Sequence, residues 1–112
     1  MNRRWHLIIC TFAFAGYAIL VNSLVKISLE NIAIAFILAL IGAILPDILE
    51  PPTGPRHRGS FHSTEALKWV VIILLITALI GLLSYQFYIA SGFFLGYFVH
   101  LLADSITPAG LP

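Results

Sequence analysis

Three long runs free of acidic, lysine and arginine side chains dominate the chain, from Trp5 to Val25, from Asn31 to Pro46 and from Trp69 to Ala103. A membrane-crossing helix needs about 20 mainly apolar residues, so the third run is too long for one crossing. Ser84-Tyr85-Gln86, followed by Ser91-Gly92, forms a polar break that divides it. The pattern predicts four helices, near residues 6–25, 30–46, 64–84 and 90–105, in one transmembrane domain over 1–112 with a cytoplasmic loop at 47–63. Segments this short satisfy all their backbone groups inside a bilayer only as helices. The expected fold class is therefore all-α, a small polytopic membrane bundle.

Composition agrees and removes the alternatives. Hydrophobic residues make up 60% of the 112 and charged residues 10%, against roughly a quarter charged in soluble domains, and the mean hydropathy is +0.99. A net charge of +1 is too small for a nucleic-acid surface, and disordered chains lack the residues that are abundant here. Cys10 stands alone, which excludes an internal disulfide and a thiolate zinc pair. Arg3 and Arg4 precede an apolar stretch with a candidate cleavage signal at Ala13-Phe14-Ala15. A cut there leaves an apolar core of about six residues, shorter than the roughly 7–15 of a signal peptide, so an uncleaved first span is expected. With four spans, Arg3, Arg4, Arg56, Arg58 and Lys68 share one side and only Lys26 lies opposite. By the positive-inside rule, both termini and the 47–63 loop face the cytoplasm, in a multi-pass inner-membrane arrangement. Gly92 and Gly96 form a small-xxx-small pair that lets a neighbouring helix approach closely, although two glycines four apart also arise by chance.

The few polar residues gather at that same face. His6 opens the first helix, Asp47 ends the second, His57 and His62 lie in the loop, and His100 and Asp104 lie near the end of the fourth. Glu50 and Glu65 join them, and only Glu30 lies opposite. Positions i and i+4 stack on one side of a helix, so His100 and Asp104 point into one space. His100 stands roughly 14 Å along the helix from Ser91, a depth at which ionisable groups face a bundle interior or a wet cavity. An interhelical hydrogen bond is the plain structural explanation of that pair. Taken singly, Asp47 reads equally as a helix cap, His6 as an interfacial anchor beside Trp5, and His57 and His62 as ordinary loop histidines. Jointly, imidazoles and carboxylates from three regions suit zinc, manganese or iron(II), and the lack of thiolates disfavours a purely structural zinc. Six candidates exceed one tetrahedral site and leave room for two metals. Arg58 fits bidentate binding of an anionic group as well as positive-inside anchoring. Ser63 or Thr64 caps the third helix, with Glu65 in its first turn, where the dipole favours it.

Leu45-Pro46-Asp47, then His57-Arg58-Gly59-x-x-His62-Ser63, then Gly96-Tyr97-x-x-His100-Leu101-Leu102-Ala103-Asp104-x-x-Thr107-Pro108-x-Gly110, with an early His6-Leu7, resembles the family of membrane-bound metal-dependent hydrolases of the LexA-regulated inner-membrane type. The resemblance touches all four helices and has three separated motifs in order. It implies a membrane-embedded hydrolase whose metal is held by the motif histidines and aspartates. Many members read Leu-Pro-Asp-x-Asp-His, where this chain has Leu49 and Glu50, a departure that bears on a second metal. The chain also stops after Gly110-Leu111-Pro112, where relatives commonly continue, and is expected to be a minimal version.

The combined expectation is a divalent metal, zinc before manganese or iron, with His6, Asp47, His57, His62, His100 and Asp104 as candidate ligands. Arg58 steadies an anionic group, and Glu65 or Glu50 acts as a base or supports a ligand. The expected partners are the lipid bilayer, a lipid-like or phosphorylated small substrate and a second copy of the chain, with no nucleic acid. The rival expectation is a non-catalytic metal-binding, ion-transport or structural module. A transport relay needs polar residues continuing through the membrane, and the far half reads as apolar apart from Asn22 and Thr77.

Overall fold

The computed structural model describes residues 3–49 and 63–106. They form four helices, α1 (Arg3–Leu24), α2 (Leu29–Leu49), α3 (Thr64–Gly81) and α4 (Tyr85–Ser105), with no strand among the described residues. All four are long and apolar enough to cross a membrane. At 1.5 Å per residue they measure about 27–33 Å, against a bilayer hydrocarbon core of about 30 Å. Phe12, Ile19 and Leu20 on α1 and Leu75 and Leu79 on α3 point outward and are exposed. Lipid, not water, is the solvent that such faces fit.

Polar side chains mark the helix starts. The Asn22 Oδ1 accepts the Ile27 N–H at 3.0 Å across the α1–α2 turn, and the Ser28 hydroxyl oxygen accepts the Asn31 N–H at 3.2 Å. Ser63 caps α3, its hydroxyl oxygen accepting the Ala66 N–H at 3.0 Å, with Glu65 exposed in the first turn. The Ser28 and Ser63 bonds each satisfy one of the donors a helix start leaves open, and the Asn22 bond closes the turn.

Several boundaries differ from the sequence expectation, α1 beginning at Arg3 and α3 ending at Gly81, and two further differences concern the contact between α2 and α4. α4 begins at Tyr85, so Ser91 and Gly92 lie within it. Their polarity and small size serve lateral packing instead of a loop: the Ser91 hydroxyl donates to the Tyr88 carbonyl at 2.6 Å, and Gly92 meets the backbone of α2. α2 runs through Pro46 to Leu49, because the turn beyond the proline is held against α4.

α4 packs on the other three helices, and α1 also packs on α2. α2 and α4 run in the same direction and touch along small residues. A Cβ on Gly92 would fall on the Ala35 carbonyl oxygen, and one on Gly96 on the Ala39 carbonyl oxygen. Ala35, Ala39 and Ala43 are fully buried in this seam. Small residues permit this approach, which matters in lipid, where contact and hydrogen bonding replace the hydrophobic drive between helices. α1 runs antiparallel over the seam. The Cys10 thiol donates to the Ala39 carbonyl at 3.4 Å, and Phe14 packs on Phe36 with ring centroids 5.3 Å apart. On another face of α4, Tyr97 and Leu101 pack with Val70 of α3.

Candidate metal centre

The first turns of α1 carry His6, the last turn of α2 carries Asp47, and successive turns of α4 carry His100 and Asp104. Because α2 and α4 are parallel and α1 is antiparallel to both, the four side chains arrive at one end of the bundle. His100 and His6 are 0% and 1% exposed, and both aspartates are 7% exposed. Trp5 is exposed while His6 is not; the tryptophan occupies the outward face expected of an interfacial anchor, and the histidine turns inward. Asp47 likewise points into the bundle and does not act as an exposed cap.

The distances define a cluster. His100 Nε2 lies 3.2 Å from Asp104 Oδ2 and 3.4 Å from Asp47 Oδ1, while His6 Nε2 lies 3.4 Å from Asp104 Oδ1. The two imidazoles stack, with centroids 3.7 Å apart and planes 17° from parallel. His100 Nδ1 is 2.6 Å from the Ala43 carbonyl oxygen. A carbonyl only accepts, so Nδ1 carries a proton and donates it, leaving Nε2 facing the carboxylates. A ligating histidine is commonly fixed by such a bond from its other nitrogen.

Magnitudes test whether these residues fit a cation. Charge-assisted N–H···O bonds run about 2.7–2.9 Å, shorter than each of the three nitrogen–oxygen separations. Two donors on one tetrahedral zinc at about 2.0–2.1 Å stand about 3.3–3.4 Å apart by simple geometry. The observed separations match the second spacing. One ligand atom each from His6, Asp47 and His100 lie within 4.8 Å of one another. Among the described residues, both ring nitrogens of His6 are buried without a hydrogen-bond partner, its Nε2 standing 3.4 Å from Asp104 Oδ1, an arrangement that costs free energy unless something else satisfies them. The donor set fits a small divalent cation.

Of the residues singled out in the sequence, His6, Asp47, His100 and Asp104 come together here. Glu65 is exposed at the start of α3 and does not belong to the group of buried ligand atoms. Glu50, His57, Arg58 and His62 lie outside the described residues. Sequence reasoning missed the Ala43 carbonyl; the buried histidine's need for an acceptor was the available signal. It also understated the polarity of the far half. Tyr17 and Ser91 share a hydrogen bond of 2.5 Å between hydroxyl oxygens, and the ring of Tyr17 stacks on that of Tyr88. Since the Ser91 proton goes to the Tyr88 carbonyl, Tyr17 is the donor. Thr77 instead bonds back to Ile73 and Leu74 of its own helix.

The architecture is that of a polytopic all-α membrane protein with a buried histidine–aspartate cluster at one end. A family model described as YdjM inner membrane protein matches residues 1–112, and the chain belongs to that family. Comparison with curated proteins and with solved structures gave no match.

Proposed function

We propose that this protein is a membrane-embedded metal-dependent hydrolase, with one divalent cation, zinc in first place, held by His6, Asp47, His100 and Asp104. The observation that carries the reading is His6, a buried imidazole with neither nitrogen hydrogen-bonded among the described residues, set against a carboxylate that also faces His100. A cation bound there supplies Lewis acidity and lowers the pKa of water toward neutrality. The protein's own residues do the rest. Asp104 faces both histidines through its two oxygens and fixes their mutual position. The Ala43 carbonyl keeps the His100 proton on Nδ1, and the surrounding helices keep bulk water from the donors.

The resemblance adds Arg58 as the group that steadies an anionic substrate, and Glu65 or Glu50 as base or supporting carboxylate, with His57 and His62 as further ligands. The one-sided distribution of basic residues supports a cytoplasmic face for the cluster. A site at that depth suits an ester or phosphoester of an amphiphilic molecule.

Metal analysis of the detergent-purified protein, beside His100→Ala and Asp104→Ala variants, tests the reading. Near-stoichiometric zinc in the wild type, lost in both variants, is expected, together with hydrolysis of a chromogenic phosphoester or ester that follows the metal content. A wild type that takes up no metal on reconstitution overturns the metal centre. Full metal with no hydrolysis of either ester overturns the enzyme and leaves a non-catalytic metal-binding module.

A further inference from the structure

We infer that Pro46 is a positioning residue for this centre: it keeps the Ala43 carbonyl turned out of α2 and onto His100. Pro46 lies inside α2 and is fully buried. Proline has no N–H, so the Gly42 carbonyl four residues earlier loses its helical donor, and the ring presses on that carbonyl. A helix interior normally excludes proline for this reason.

The gain appears in the same turn. Gly42 and Ala43 are where α2 meets the backbone and the histidine of α4. A Cβ on Gly42 would fall on the Phe93 carbonyl oxygen and lie 3.1 Å from the Tyr97 nitrogen. One residue on, the Ala43 carbonyl accepts the His100 Nδ1–H at 2.6 Å. In an unbroken helix each carbonyl points along the axis to the N–H four residues later. A proline interrupts that row and is a recognised cause of local bending. The loosened turn lets the Ala43 carbonyl lean toward α4, which holds the His100 proton on Nδ1 and aims Nε2 at Asp47 and Asp104. Adjacent residues thus have complementary tasks, Asp47 as a donor to the centre and Pro46 as the residue that orients a donor on another helix. The inference deepens the metal-centre reading and rests on it for its functional meaning, but its primary observable needs no metal.

The test compares wild type with Pro46→Ala, labelled with 15N at histidine and held in detergent micelles, first metal-free and then titrated with zinc. The wild type should show a downfield, slowly exchanging Nδ1 proton on His100. In Pro46→Ala, which restores the missing N–H, that proton should move upfield and exchange faster. Zinc affinity should fall about 10-fold or more, the range seen when such outer partners are removed, while the thermal midpoint holds or rises. A purely structural proline predicts the reverse pattern, a changed midpoint with an unmoved Nδ1 proton. Pro46→Gly also restores the N–H and carries the same test if the alanine variant fails to fold. An unaltered Nδ1 proton in the folded variant overturns the inference. A shifted Nδ1 proton in a protein that binds no zinc supports the orienting role of Pro46 and separately defeats the metal reading.

Discussion

His100 follows Ala43 by 57 positions, and its Nδ1 donates to the Ala43 carbonyl at 2.6 Å. The same offset joins Ala35 to Gly92 and Ala39 to Gly96 in the seam between α2 and α4. One further step joins Asp47 to Asp104, whose carboxylates both face His100 Nε2. The seam and the histidine–aspartate cluster therefore belong to one register, with packing at its lower rungs and the proposed metal ligands at its upper ones.

That register predicts unequal effects for two glycines. Gly96→Ala places a methyl group on the Ala39 carbonyl oxygen and should destabilise the fold by about 2 kcal/mol, in the range for overpacking. Gly16→Ala meets nothing within 4 Å and should be neutral or stabilise by up to about 1 kcal/mol through helix propensity. Equilibrium unfolding in mixed micelles measures both. Equal losses would show that the seam is not tightly closed.

The two stacked tyrosines should respond with opposite signs. Tyr17→Phe removes the donor to Ser91 and should cost about 1 kcal/mol. Tyr88→Phe removes a hydroxyl that is buried without a hydrogen-bond partner among the described residues and should be neutral or stabilise by about 1 kcal/mol. The same unfolding assay decides, and a loss for Tyr88→Phe would reveal a partner for its hydroxyl.

Among the carboxylates, Asp104 should matter more than Asp47. Asp104 lies beside both imidazoles, and Asp47 Oδ1 lies 3.4 Å from His100 Nε2. Asp104→Asn should therefore weaken zinc binding more than Asp47→Asn, as read by competition with a chromogenic chelator. Unchanged zinc affinity in Asp104→Asn would place Asp104 outside the cation's contacts.

Metal removal should destabilise the fold and act on α1 in particular, since His6 is that helix's contribution to the cluster. Zinc at about 100 times its dissociation constant should add about 2.7 kcal/mol to stability, and His6→Ala should reduce that gain. Hydrogen exchange along α1 provides the second readout: protection there should rise with zinc in the wild type and change little in the variant.

Much of this arrangement was legible in the sequence because lipid imposes simple constraints. The charge-free runs announced four crossings, and the i,i+4 spacing of His100 and Asp104 placed both on one side of α4. His6 and Asp47 followed from topology alone, since short crossings return their ends to one face. What stayed hidden was lateral. Nothing in the spacing of Ala35, Ala39 and Ala43 states which helix they face, so neither the 57-residue offset nor the Ala43 acceptor was visible. Ser91-Gly92 looked like a loop signal because the same small and polar residues serve both turns and close helix contacts. The tyrosine pair was overlooked because an aromatic ring in an apolar helix reads as core, and the fate of its hydroxyl depends on a neighbour distant in the chain.

The glycine–alanine seam also bears on which ions the proposed centre would admit. With two backbones in contact one turn below it, the imidazole of His100 has almost no room to retreat, and the carboxylates beside it inherit that stiffness. A large ion such as calcium, which takes six to eight oxygens at about 2.3–2.6 Å, would have to wedge α2 and α4 apart. A compact tetrahedral ion would not. For the proposed centre, the smallest side chains of the bundle would thus act as a caliper, selecting by ionic radius.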